Sequence, residues 1–435
     1  MTDIIFSFDT EDFTCSRAAD GIIEVAEILR SEGIRGCFNI VGLLADQLVA
    51  WGRTDVLEAL KYHEIDFHSY GHSLHPCINE YTNIEDHDAA YRELVRQESE
   101  GVAKVRAATG ADRLWEACAP GNNENYIAMY AYTNMGIPCY SGNLLDTPGG
   151  QNVFYCNALY LHYYTSVEQI DAVDGANDAS FYDRMADRQT VVLYNHPNKM
   201  LYRNFWDVVN YHHGVNLHPF GEWEEAERKT EEEHEHIRDQ FRTLVRTLKA
   251  DGRFRFRTYR EIAEERCFGV REVKREDMPG LRKRLLRDFG PQRIPTSLCI
   301  SDIFAAAVAY LKGNALFRAG RVYGFLDTPY AITEPTTVRA EDVCIAAQSV
   351  DLSCFLPTSF MVGDTRLGPA DFLFAMLAAL DGEEEINLTP REQNINISCL
   401  GNLSTPPVDG WLFAKDFKAE ILKKRTPLQA WTVRY

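Results

Sequence analysis

The sequence has no hydrophobic run long enough to cross a bilayer. Its longest apolar stretches, Ile303–Leu311 and Phe372–Leu380, are nine residues each, where about 20 are needed. It also lacks a positive charge balance: 45 Lys and Arg against 64 Asp and Glu leave a formal net charge of −19. That argues against nucleic acid or an anionic membrane as partner, since both select basic surfaces. The 11 cysteines include no Cys-x-x-Cys pair and are odd in number, so a disulfide framework is not expected. No basic segment or apolar core stands ahead of the first strand-like run, which Met1-Thr2-Asp3 enters at once. With the unpaired thiols, this gives the expectation of a cytoplasmic chain.

What is present is ordinary globular composition, 45% hydrophobic and 25% charged, over 435 residues. That length suits one barrel-sized domain of about 250 residues and a smaller second one. From residue 1 to about 265, short β-type runs alternate with helical stretches. The runs are Ile4–Phe8, Gly36–Val41, Glu64–Ser69, Leu114–Ala119, Pro138–Ser141, Val153–Tyr163, Thr190–His196 and Arg253–Tyr259. The first connector places Ile22, Val25, Ala26 and Leu29 on one helical face and stops at Gly33, suited to a left-handed C-cap. Such alternation predicts an α/β fold, a distorted (β/α)7-8 barrel, with chemistry at the C-terminal strand ends. A helix is expected across Glu222–Asp251, its charges forming a solvated face. The charged stretch after Glu265 suggests a boundary, giving domains 1–265 and 266–435. The second is expected to be smaller, mixed and mainly helical. Two of its helices begin alike, at Asp302 and Asp371, which suggests a weak internal duplication.

Three elements of the first domain carry chemistry. Phe8-Asp9-Thr10-Glu11-Asp12 runs a strand into three carboxylates, costly to crowd together unless a cation or proton compensates. His63-Glu64-Ile65-Asp66-Phe67-His68-Ser69-Tyr70-Gly71-His72 follows another strand. One helical turn would bring His68 and His72 to one side, as a zinc-type ion requires, with His75 a nearby competitor. Leu193-Tyr194-Asn195-His196-Pro197 ends a third strand in His196.

Together these residues resemble the polysaccharide deacetylases of the NodB-homology type, carbohydrate esterase family 4, over roughly residues 1–265. The Tyr62–His72 run is similar to the family's metal-binding histidine motif and Gly36–Gly42 to the strand before it. Phe8–Asp12 matches its acidic motif, and Leu193–Pro197 its late Leu-His-Pro motif. Phe254–Ile262 matches the closing strand and helix. The resemblance implies a barrel enzyme, a hydrolase of non-peptide carbon–nitrogen bonds that removes an N-acetyl group from an amino sugar or glycan. It implies Asp9 as catalytic base and His196 as catalytic acid. The metal ligands would be His68, His72 and one of Glu11 or Asp12, with Zn2+, or Co2+ or Ni2+, as cofactor. A backbone N–H near Cys118–Pro120 would hold the oxyanion, and Pro120, Gly121, Asn122 and Trp206 would bind substrate, Trp206 and Tyr211 by stacking on a sugar.

One departure bears on activity. The family's motif-three arginine, which orients the base, is here Cys118, in Ala117-Cys118-Ala119-Pro120-Gly121-Asn122-Asn123, and Arg113 lies at the wrong end of the strand to replace it. A cyclic-amide (allantoinase-like) hydrolase on the same fold and a carbohydrate-binding pseudoenzyme therefore stand as alternatives. The expected partner is a carbohydrate or small amide. For residues 266–435 a polymer-binding module and an interaction or dimerisation module are equally supported, the latter making a homo-oligomer.

Overall fold

Seven parallel strands close on themselves to frame the first unit of the chain. They are β1 (Thr2–Thr10), β2 (Cys37–Ile40), β3 (Glu64–Phe67), β4 (Glu116–Cys118), β5 (Cys139–Gly142), β6 (Ala158–Ser166) and β7 (Thr190–Asn195). Each pairs with the next, and β7 returns to β1. An eighth strand, β8 (Phe254–Phe256), lies parallel to the start of β1, Thr2 opposite Phe254. The computed structural model describes residues 1–168, 179–216, 218, 219, 221–395, 397, 400–406 and 412–435.

Local sequence explains the helices around this ring. Helix α1 (Asp20–Ser31) buries Ile22, Val25, Ala26 and Leu29, and the chain leaves it through Gly33 at φ 73°. Helices α2 (Gly42–Ala50) and α3 (His87–Thr109) follow β2 and β3. Helix α4 (Glu231–Ala250) starts later than the expected Glu222, because a capping box fixes its first turn. Thr230 Oγ1 accepts the Glu233 N–H at 3.2 Å, and the Glu233 carboxylate accepts the Thr230 N–H at 2.7 Å. Its buried edge is Phe241, Leu244, Val245 and Leu248, and satisfying end groups in this way is worth about 0.5–2 kcal/mol.

The single strand expected over Val153–Tyr163 is broken. Cys156 and Asn157 take left-handed backbone, φ 49° and 68°, between Val153–Tyr155 and β6. The compact units are also discontinuous. The barrel unit comprises 1–152, 158–267 and 404–422; the second comprises 153–157, 268–403 and 423–435. The expected 265/266 division lies close to one crossing, at Cys267/Phe268, and the other crossings leave no motif in the sequence.

The second unit is mainly helical. Helices α5 (Ile300–Leu311) and α6 (Pro369–Leu380) are its centre, and each is capped by the aspartate of its first turn. Asp302 accepts the Cys299 N–H at 3.0 Å and Asp371 the Gly368 N–H at 3.3 Å, so the two similar sequences do form similar helices. Phe304, Phe360, Phe372 and Trp431 pack between them. Among the described residues three antiparallel ribbons, Glu272–Val273 with Phe317–Arg318, Thr336–Arg339 with Glu385–Leu388 and Phe360–Val362 with Thr365–Leu367, complete the unit.

One close approach ties the helical layer to the chemistry. A β-carbon on Gly21, in the first turn of α1, would fall on the carbonyl of Pro197, the residue after His196. Gly21→Ala is expected to cost about 1–3 kcal/mol by overpacking and to lower the thermal unfolding midpoint. An unchanged midpoint would mean that α1 moves freely.

Candidate active site

The parallel register gathers the three sequence motifs at one end of the barrel. Within β1, Ser7 and Asp9 are two residues apart and therefore share a face; Asp9 lies opposite Asn39 of β2, and Phe8 opposite Asn195 of β7. Asn39 confirms the inward face by donating to both Ser7 Oγ, at 2.8 Å, and Asp9 Oδ1, at 3.1 Å. Beyond the strand ends follow Glu11, His68 and His196.

His68 and His72 do converge, though not on a helix as their spacing predicted. After β3 the chain turns through Ser69 at φ 68° and His72 at φ 50°, left-handed positions that cost energy for residues with a Cβ. Ser69 Oγ accepts the His72 N–H at 2.9 Å and holds the turn, leaving the ring centroids 5.0 Å apart. Each ring has its Nδ1 engaged, His68 with Cys118 Sγ at 2.7 Å and His72 with Ser73 Oγ at 3.0 Å. Each therefore presents Nε2 to Glu11, whose Oε2 is 2.8 Å from His72 Nε2 and 3.5 Å from that of His68.

This set fits a divalent metal. Two imidazole nitrogens and one carboxylate oxygen within 4.8 Å of one another are the donors of an open catalytic zinc-type site. The occupied Nδ1 atoms supply the outer partners such ligands require, and His68 Nε2 is buried with no hydrogen-bond partner among the described residues. Burial works against charge on Glu11, but His72, with His68 and His196, holds its carboxyl well below the usual range, so an anionic oxygen is available.

Asp12 points elsewhere. Its Oδ1 accepts from the Thr14 N–H at 3.0 Å and hydroxyl at 2.7 Å, and burial pushes its carboxyl up to about 7 despite those bonds. Of the two acids left open by the sequence, Glu11 is the one that meets the histidines. His75 is drawn away as well, its Nδ1 lying 2.7 Å from Glu80.

Opposite the histidine pair stand Asp9 and His196, with His196 Nε2 3.6 Å from Asp9 Oδ2. His196 Nδ1 is held at 2.8 Å by Glu168. Burial alone would pull the imidazole down, but Glu168, followed by Glu11 and Asp9, pushes it up to about 10. It is therefore protonated near neutrality. Asp9 Oδ1 also takes contacts from Tyr163 OH at 3.4 Å and Cys118 Sγ at 3.5 Å. Cys118, in the place of the expected arginine, thus bridges Asp9 and His68, while Arg113 donates to the Gly136 carbonyl at 2.8 Å and lies over Trp115.

A cavity of about 220 Å³ opens among Asp9, Glu11, His72, Gly121, Asn122, Tyr163, His196 and Asp207. Gly121 and Asn122 take positive φ, 51° and 61°, in the loop after β4. The Ala119 N–H is donated to the Ser141 carbonyl at 3.2 Å and Pro120, itself buried, has no N–H. Neither Ala119 nor Pro120, in the expected Cys118–Pro120 stretch, therefore has an N–H to offer an oxyanion. Trp206 corrects the sequence reading: it is 0% exposed, packed against Phe13 at 4.5 Å, Tyr211 at 5.2 Å and His72 at 5.7 Å. Tyr211 is equally buried. Neither ring has a face for a sugar: Trp206 walls in His72, and Tyr211 packs behind it beside His75.

Two carboxylates escaped the sequence reading. Glu168 follows β6, which runs to Ser166 rather than ending at Tyr163; counting the strand out to its full length would have brought Glu168 to the barrel's active end. Asp207, in the segment after His196, is buried with Oδ2 3.8 Å from His72 Nδ1, and only the fold reveals it.

No protein-family model and no curated protein matches the chain. Among solved structures it is similar to a family 4 acetyl xylan esterase from Clostridium thermocellum in complex with cobalt, at 13% identity and TM-score 0.31, covering 61% of this chain and 91% of that one. It is similar also to a carbohydrate esterase family 4 pseudoenzyme from Bacillus anthracis, at 9% identity and TM-score 0.31, covering 59% and 70%. A 4-alpha-glucanotransferase from Thermococcus litoralis matches at 10% identity and TM-score 0.40, covering 61% and 40%. These likenesses, spread over differing activities, assign none; the chemistry rests on the side chains.

The division of labour between the two acids after β1 is directly testable. Elemental analysis of zinc-reconstituted protein should show Glu11→Gln binding one ion per chain fewer than wild type. Asp12→Asn, whose amide oxygen still accepts from Thr14, should bind as wild type does. The reverse pattern would move the metal to Asp12.

Proposed function

We propose that this chain is a metal-dependent hydrolase that removes the acyl group from a small N-acetylated amino sugar. The observation that carries the reading is one cavity faced by three groups of distinct chemistry. These are a His–His–Glu donor set, a carboxylate at Asp9, and the His196 imidazole paired through Nδ1 with Glu168.

A divalent ion held by Glu11, His68 and His72 would supply Lewis acidity, polarising the acyl carbonyl and acidifying water. Asp9 Oδ2 takes a proton from the water whose oxygen attacks the acyl carbon. As the C–N bond breaks, His196 Nε2 gives its proton to the departing nitrogen, so an amine leaves and acetate remains. Glu168 keeps His196 charged for that step and fixes its ring through Nδ1. The N–H groups of Gly121 and Asn122, on the loop that lines the cavity, would receive the oxygen that turns negative. The cavity, about 220 Å³, is smaller than the roughly 300–1,000 Å³ of pockets that enclose drug-sized ligands, which suits a substrate whose reacting part is one sugar unit.

Acetate release from N-acetylated monosaccharides, nucleotide sugars and oligomers by the metal-reconstituted chain tests this. Turnover should be greatest for monomers, and Asp9→Asn and His196→Ala should each lower kcat/KM by about 10²–10⁴-fold. Ring opening of cyclic amides without acetate release would make this a cyclic-amide hydrolase. Binding of sugars with no turnover of either class would make it a pseudoenzyme.

The pH profile isolates Glu168. The acid must carry its proton, so kcat/KM falls as pH rises through the folded-state value of His196, about 10. Glu168→Gln removes the main group raising that value, so the alkaline limb should move to lower pH by about 1–3 pH units. An unmoved limb would show that His196 is not the acid.

A further inference from the structure

A second group of ligand-type side chains stands on the loop that follows His72, outside the donor set described above. His75 Nδ1 is 2.7 Å from Glu80 Oε2 and 3.4 Å from Cys77 Sγ, and the three donors lie within 4.8 Å of one another. In a Cys–His–acid proton relay, thiol and carboxylate engage opposite nitrogens of the ring, so that a proton passes through it. Here both face the same nitrogen, and the donors converge on one point. An imidazole nitrogen, a thiol sulfur and a carboxylate oxygen around one point suit a borderline-soft divalent ion, zinc above all.

Local sequence makes the convergence cheap. His75-Pro76-Cys77-Ile78-Asn79-Glu80 supplies all three donors within one short turn, and Glu80 Oε2 also accepts the Cys77 N–H at 2.7 Å, which fixes its carboxylate beside the sulfur. Cys77 is 2% exposed and packs with Leu412 and Phe413, so the sulfur is shielded from bulk solvent. A cavity of about 240 Å³ is lined in part by His75 and Cys77.

We propose that His75, Cys77 and Glu80 form a second divalent-metal site, with zinc as its occupant. This goes beyond the hydrolase reading and does not rest on it. The ion replaces the thiol proton, which is released, since a coordinating sulfur is a thiolate. By tying residue 75 to residue 80, it braces the loop whose Asn83 Oδ1 accepts the N–H groups of Ile421 and Leu422, at 3.0 and 3.3 Å.

Cobalt(II) titration of the chelator-stripped full chain tests the site, because thiolate-bound cobalt gives a sulfur-to-metal charge-transfer band in the near ultraviolet. The band is expected in wild type and in the His68→Ala/His72→Ala double variant, and is expected to be lost in Cys77→Ser. Absence of the band in wild type, its survival in Cys77→Ser, or its loss in the histidine double variant overturns the proposal. Should Cys77→Ser fail to fold by circular dichroism, Glu80→Gln keeps the thiol and answers the same question. Its cobalt affinity, read from the same band, should weaken by at least about tenfold, and an unchanged affinity is equally fatal.

Discussion

Charge buried at the C-terminal end of the barrel governs this protein. Asp9, Glu11, Glu168 and Asp207 are each between 2% and 8% exposed, around the imidazoles of His68, His72 and His196. Stripped of water, carboxylates are costly unless paired and hydrogen-bonded. The two arms of the site solve this differently. Glu11 is balanced by His72, which burial would discharge but which Glu11 and Asp207 hold above its ordinary value. On the other arm Glu168 keeps His196 cationic beside Asp9. Strand ends deliver Asp9, Glu11, His68 and His196 to one end of the barrel, and Trp206, backed by Phe13 and Tyr211, packs against His72.

The floor of the site is polar as well, and this bears on the exchange of arginine for Cys118. Below Asp9, Asn39 donates to Ser7 Oγ, Tyr259 OH lies 3.1 Å from Ser7 Oγ and 3.2 Å from Ser141 Oγ, and the Ser141 N–H donates to Glu116 at 3.0 Å. Burial pushes Glu116 well above the usual carboxylate range, which disfavours its charge. Asp9 therefore rests on neutral donors: Asn39, Tyr163 and Cys118. Its charge partner is His196, 3.6 Å away, which Glu168 holds from the other side at 2.8 Å, so the two carboxylates share one imidazole.

Much of this was legible in the sequence because strand and helix periods write themselves into residue order. The eight β-type runs, the apolar face of α1 and the histidines and acids at strand ends all follow from local pattern. Other features are set by tertiary contacts that no local pattern encodes. The His68–His72 spacing looks helical, yet left-handed Ser69 and His72 bring the rings together in a turn. Trp206 looked like a platform because aromatic residues beside a catalytic strand are ambiguous until their burial is known. Glu11 and Asp12 differ by one position, and Thr14, through its bonds to Asp12, turns one of them away. Glu168 depended on where β6 stops.

The return of residues 404–422 to the barrel unit has a consequence for how the chain is made. The strands and most helices of that unit leave the ribosome early, but its last piece emerges only after residues 268–403 have been synthesised. At about 5–20 residues per second the interval is on the order of ten seconds. Through that time the nascent barrel has Cys77 and its surroundings without Leu412 and Phe413 to cover them. Translation order thus leaves a waiting period in which a thiol-bearing loop is open to whatever the cell offers it.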